Sequence, residues 1–163
     1  MKYIKLFESF NDFSNIKNDI RDIFVELIDE RFRISFRPNY GFSKHDGAPD
    51  DRDDDVFIKN FKEGNFSICL QREKNSTSYF QISEVYEYIM MLIDFMESVG
   101  INSKVLFHAT TRNKRDMSYI KKMSLPQLEK FMKEDKPVNF LEIIFGERWS
   151  IKCPDAYEVY KVI

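Results

Sequence analysis

Six aspartates crowd the segment from Tyr40 to Asp55, at Asp46, Asp50, Asp51, Asp53, Asp54 and Asp55. Clustered carboxylate oxygens are what hard cations such as Ca²⁺ and Mg²⁺ bind, so this run is the first place to look for a metal. A helix–loop–helix calcium site needs acids at alternate positions, a central Gly and a terminal Glu. The order here lacks that frame, and Arg52 sits in its middle. The run reads instead as a solvated acidic surface of Asp50, Asp51, Asp53, Asp54 and Asp55, with no metal and no cofactor. A second group is Arg31, Arg33 and Arg37, which share one face of a strand and have the charge to follow phosphates, with Tyr40 and Phe42 as stacking surfaces. The strand's own aromatics, Phe32 and Phe36, alternate to the other face, so a solvent-facing strand beside acidic neighbours is preferred to a nucleic-acid reader.

Proton-transfer chemistry has few carriers. There are two histidines, His45 and His108, and two cysteines, Cys69 and Cys153, too few for a disulfide framework or a zinc site and best read as thiols in a reducing compartment. No G-x-S-x-G elbow, Walker loop or G-x-G-x-x-G loop is present. Phe107-His108-Ala109-Thr110 falls at the end of a strand pattern. It resembles the His-x-Thr signature of ADP-ribosyltransferase-type folds. That resemblance implies His108 and Thr110 as a pair holding a nicotinamide ribose, with Glu142, Glu147 or Glu158 as a later acid. The preferred alternative is a strand-end histidine bonded locally, and no residue is assigned as catalytic.

The first residues, MKYIKLFESF, place Leu6, Phe10 and Phe13 on one helical face, and Tyr3, Phe7 and Phe10 on another. This segment resembles the N-terminal leaders of tailed-phage proteins, which in T-even-like phages direct internal proteins to the capsid and are cut after Glu in Leu/Ile-x-Glu. Leu6-Phe7-Glu8 fits that tripeptide, so the resemblance implies a cleavage after Glu8. The rhythm from Asp22 to Leu27, followed by an Arg/Phe strand, is similar to small proteins from phages of Bacteroidetes-type hosts. A short amphipathic arm suits docking into a partner's groove, with Ile4, Leu6, Phe7 and Phe10 as the contact residues.

These residues must be positioned by the following elements. Asn15 or Ser14 caps a helix whose stripe is Ile16, Ile20, Ile23, Phe24, Leu27 and Ile28. From Arg31 to Arg37 the period drops to two, and Pro38 ends the strand. Val56–Phe61 and Asn65–Gln71 read as a hairpin around Lys62-Glu63-Gly64. Ser83 caps a second helix with Val85, Ile89, Leu92, Met96 and Val99 inward, and Gly100 suits a left-handed end. Lys104–Ala109 is a strand, Thr110–Lys122 a basic loop, and Ser124 opens a third helix with capping-box spacing. Val138–Phe145, apolar at nearly every position, is a central strand, and Trp149–Lys152 and Tyr157–Val162 are candidates for short ones.

The order favours an α+β fold with a single antiparallel-rich mixed sheet of about five strands and two to three helices packed on one face. An arm at 1–13 precedes a domain at 14–163. Of the 163 residues, 43% are hydrophobic and 15% aromatic, with 16 Phe and 8 Tyr, enough to build a substantial core. A net charge of −2 excludes a polyanion binder that works by overall charge. Lys5 and Glu8 interrupt any export signal, and the longest apolar run, Tyr88–Ile93, is far too short to span a bilayer. The reading is a non-catalytic phage accessory protein that binds a protein partner, in the host cytoplasm or the virion, with nucleic acid a less favoured partner and no membrane.

Overall fold

Strand segments bury one face when apolar residues alternate and both faces when they run continuously, and this chain contains both kinds. A computed structural model describes residues 15–38, 54–72, 79–112 and 118–146. In chain order these form α1 (Ile16–Ile23), α2 (Val25–Asp29), β1 (Phe32–Pro38), α3 (Asp54–Lys62), β2 (Phe66–Arg72), α4 (Ile82–Ser98), β3 (Val105–Arg112), β4 (Ser118–Met123), α5 (Leu125–Lys133) and β5 (Phe140–Phe145). The strands make one sheet in the order β1-β2-β5-β3-β4, and every pair in it is antiparallel. The strand β5, apolar at every position but Glu142, is in the middle, as its composition requires.

The register explains how one sheet carries two different faces. Phe36, Ile68, Ile143, Phe107 and Met123 align across all five strands and are all buried. The helices close over this face with Ile16, Ile20, Phe24, Leu27, Phe61, Val85, Ile89, Leu92, Met96, Leu128 and Phe131, which join it in one apolar cluster. Phe66 stacks on Phe145 at 4.8 Å and meets Phe61 at 5.0 Å, while Phe32 meets Phe80 edge-on at 5.1 Å. Each such side chain withdrawn from water is worth about 1.5–3 kcal/mol, so this layer is the main source of stability. One residue along each strand lies the next row, Ser35, Cys69, Glu142, His108 and Lys122, on the opposite face.

Several expectations need correction. The first helix is divided at Phe24 into α1 and α2, with Phe24 itself fully buried. Val56–Phe61 is not a strand but part of α3, because Phe57, Ile58 and Phe61 repeat at helical spacing. Gly64, with a φ of 71°, therefore follows a helix rather than turning a hairpin. Thr110–Lys122 is not one loop: β3 continues to Arg112 and β4 begins at Ser118. Gln81, not Ser83, caps α4, since the Glu84 carboxylate reaches back to accept the Gln81 N–H at 2.7 Å. Gly100 ends that helix at a φ of 82°, as expected. The arm and the segments Trp149–Lys152 and Tyr157–Val162 lie outside the described residues.

Candidate functional site

Strand β5 is apolar from Phe140 to Phe145 except for Glu142, and a carboxylate in such a strand must find a donor or remain unionised. Glu142 is buried, as are its direct cross-strand neighbours Cys69 on β2 and His108 on β3. The Ser67 hydroxyl donates to Glu142 Oε1 at 2.8 Å, a diagonal contact between β2 and β5. His108 Nδ1 stands 3.7 Å from Glu142 Oε2, close enough for electrostatic attraction but too long for a hydrogen bond. The side chains of His108 and Glu142 are 5% and 4% exposed.

These residue types can accept, hold and pass a proton. Here they hold three adjacent strands together on the face away from the helices. His108 therefore has an acid beside it, on the neighbouring strand of the same sheet, and both groups are closed off from solvent. Thr110 lies two residues further along β3, opposite Phe140, and its carbonyl accepts the Asn139 N–H at 3.0 Å. Among the described residues, no group of three or more His, Cys, Asp or Glu is placed to hold a metal ion.

Arg33 is exposed on β1 opposite in direction to Phe32, Ile34 and Phe36, as the alternation requires, and Arg31 is exposed just before the strand. Arg37 lies within β1. Asp54 and Asp55 fall in the first turn of α3. Asp50, Asp51 and Asp53 fall outside the described residues, as do Ile4, Leu6, Phe7, Glu8 and Phe10 of the arm.

Sequence reasoning named Glu142 only as one of three acids, with Glu147 and Glu158, that could accompany His108, and it did not find Ser67. The lone charge in an apolar strand was the available signal for Glu142, whereas Ser67 becomes its neighbour only through strand register. A second set of polar ties was also missed. Tyr88 on α4 donates to Glu26 on α2 at 2.6 Å, and Tyr86 donates to Glu129 on α5 at 2.8 Å. The hydrogen bond to the Glu26 carboxylate is the main reason the Tyr88 phenol is pushed up to about 12, with burial and the nearby charges of Glu26, Glu30 and Glu87 adding to it. Tyr86 is raised for the same primary reason by Glu129.

The chain matches no known protein-family model, and no characterised protein or solved structure is significantly similar to it. No described helix is long and apolar enough to cross a membrane.

Proposed function

We propose that the protein is a non-catalytic accessory protein of a tailed phage that works by binding another protein, in the virion or in the host cytoplasm. The observation that carries this reading is the closure of the His108–Glu142–Ser67 group: its proton-transfer side chains are 5% exposed or less and are used to join strands. An active-site histidine needs a path to substrate, whereas a cross-strand tie does not. The phage assignment rests on the resemblance of MKYIKLFESF to capsid-directing leaders. In it the arm, through Ile4, Leu6, Phe7 and Phe10, is the docking element, Glu8 is the cleavage point, and Asp50, Asp51, Asp53, Asp54 and Asp55 give a charged recognition surface.

The test is an affinity pull-down from infected and uninfected host lysate, comparing the full chain with a variant lacking Met1–Glu8. A defined phage or host protein retained by the full chain and lost by the truncation supports the reading. Equal recovery by both proteins would remove the arm from it. Nicotinamide-dependent transfer abolished by His108→Ala would overturn the non-catalytic assignment outright.

A further inference from the structure

Strand β1 is the outermost strand on its side of the sheet, and among the described residues it pairs with β2 and with no other strand. An antiparallel edge strand turns alternate N–H and C=O groups outward, where an incoming strand can pair with them. The two faces beside this edge differ sharply. On the helix-covered side α2 packs against β1 and carries Val25 and Ile28, each 39% exposed, the only large hydrophobic side chains exposed among the described residues. On the other side Arg33 is exposed, with Arg31 exposed just before it at a left-handed φ of 70°.

An extended chain sends successive side chains to opposite faces. A strand laid along Phe32–Ser35 would therefore send every second residue to the side that α2 covers and the others to the side of Arg33. We propose that the outer edge of β1 is a docking strand for an extended segment of a partner protein in which acidic and apolar residues alternate. The obvious rival is a second copy of this chain. Antiparallel pairing of two β1 strands centred on Arg33 would set the Arg33 of one copy directly opposite that of the other, and like charges across strands repel. Pro38 also withholds a donor at the end of the edge. The arginines thus act against self-pairing and in favour of an acidic strand. The proposal does not rest on the function proposed for the N-terminal arm.

The experiment is an NMR titration of the isotope-labelled full chain with three ten-residue peptides. One alternates Glu with Val, one has the same residues in two blocks, and one alternates Lys with Val. The expected result is amide shifts over Phe32–Ser35 and α2 with the Glu/Val alternating peptide. Its affinity should be at least about tenfold above the other two. Reversing the exposed charges with Arg31→Glu and Arg33→Glu together should transfer the preference to the Lys/Val peptide, and Ile28→Glu should weaken Glu/Val binding. Absence of shifts in the folded chain, shifts away from β1, or equal binding of the block peptide would each overturn the proposal. So would sedimentation showing a dimer that Arg33→Glu strengthens or leaves unchanged while no peptide competes with it.

Discussion

Glu142 and His108 face one another across β5 and β3, with His108 Nδ1 3.7 Å from Glu142 Oε2, while the other carboxylate oxygen accepts the Ser67 hydroxyl of β2 at 2.8 Å. One side chain therefore joins three strands on the face that the helices leave to the sheet. A carboxylate in that position is costly alone and stabilising with its donors, so its value is structural and depends on keeping an acceptor there.

Removing the acceptor tests this directly. Glu142→Ala leaves the Ser67 hydroxyl unsatisfied in a buried site and opens a small void, and the two effects together should cost about 2–4 kcal/mol. Glu142→Gln retains an acceptor oxygen and should cost less than about 1.5 kcal/mol. Urea unfolding of the two variants gives both values. Equal losses would mean that charge, and not the hydrogen bond to Ser67, is what the strand needs.

Two glycines with similar backbone angles should respond differently. Gly64 and Gly100 have φ values of 71° and 82°, so an added Cβ strains either by about 1–2 kcal/mol. At Gly100 nothing lies within 4 Å of that Cβ, whereas at Gly64 it would meet Ser103 Oγ, which donates to the Gly64 carbonyl. Gly64→Ala should therefore lower the thermal midpoint more than Gly100→Ala. A reversed order in calorimetry would show that Ser103 moves aside at no cost.

The parts of this fold that sequence reveals are those in which one period dominates. Phe32, Ile34 and Phe36 alternate cleanly, and Val138–Phe145 is apolar at every position but Asn139 and Glu142; the first became β1, and Phe140–Phe145 of the second became the central β5. Val56–Phe61 carries two periods at once. Val56 and Ile58 alternate, while Phe57, Ile58 and Phe61 follow a helical turn, and a window of six residues cannot separate them. Edge strand β4, Ser118–Met123, was hidden by Lys121 and Lys122, because a strand paired on one side alone tolerates polar residues. Of the candidate site, His108 was visible as a residue type. Glu142 was visible only as one of three candidate acids and Ser67 not at all, since the choice among them is set by registers linking positions 67, 108 and 142.

Helix capping offers a second contrast between pattern and geometry. Ser124 begins α5 with a capping box, its N–H and its hydroxyl both donating to Gln127 Oε1, at 2.8 Å and 3.2 Å; Ser124→Ala keeps the first, loses the hydroxyl and should cost about 1 kcal/mol. Ser83 has the same residue type near the start of α4 but is already inside the helix, behind Gln81. Ser83→Ala should change stability by no more than about 0.5 kcal/mol. Parallel denaturation curves decide the matter, and a large loss at Ser83 would shift the start of α4.

The tie between Tyr88 and Glu26 predicts a pH dependence with a definite sign. In the fold the phenol donates to a carboxylate, so its neutral form is favoured and its pKa moves from 10.0 to about 12. In the unfolded chain the phenol loses its proton near 10, while the folded chain still holds it. Above pH 10 the unfolded state therefore binds fewer protons, and stability falls as pH rises. The contribution of this pair should be complete below pH 10 and lost by about pH 12. Tyr88→Phe should remove that component of the alkaline loss and delete the latest phase of tyrosinate absorbance. At neutral pH it should cost under about 1 kcal/mol, because the bond lies at a solvent-screened surface. If the variant's alkaline titration and unfolding profile superpose on those of the parent, α4 is not held to α2 by this bond, and the apolar contact of Tyr88 with Phe24, centroids 6.5 Å apart, is left to join them.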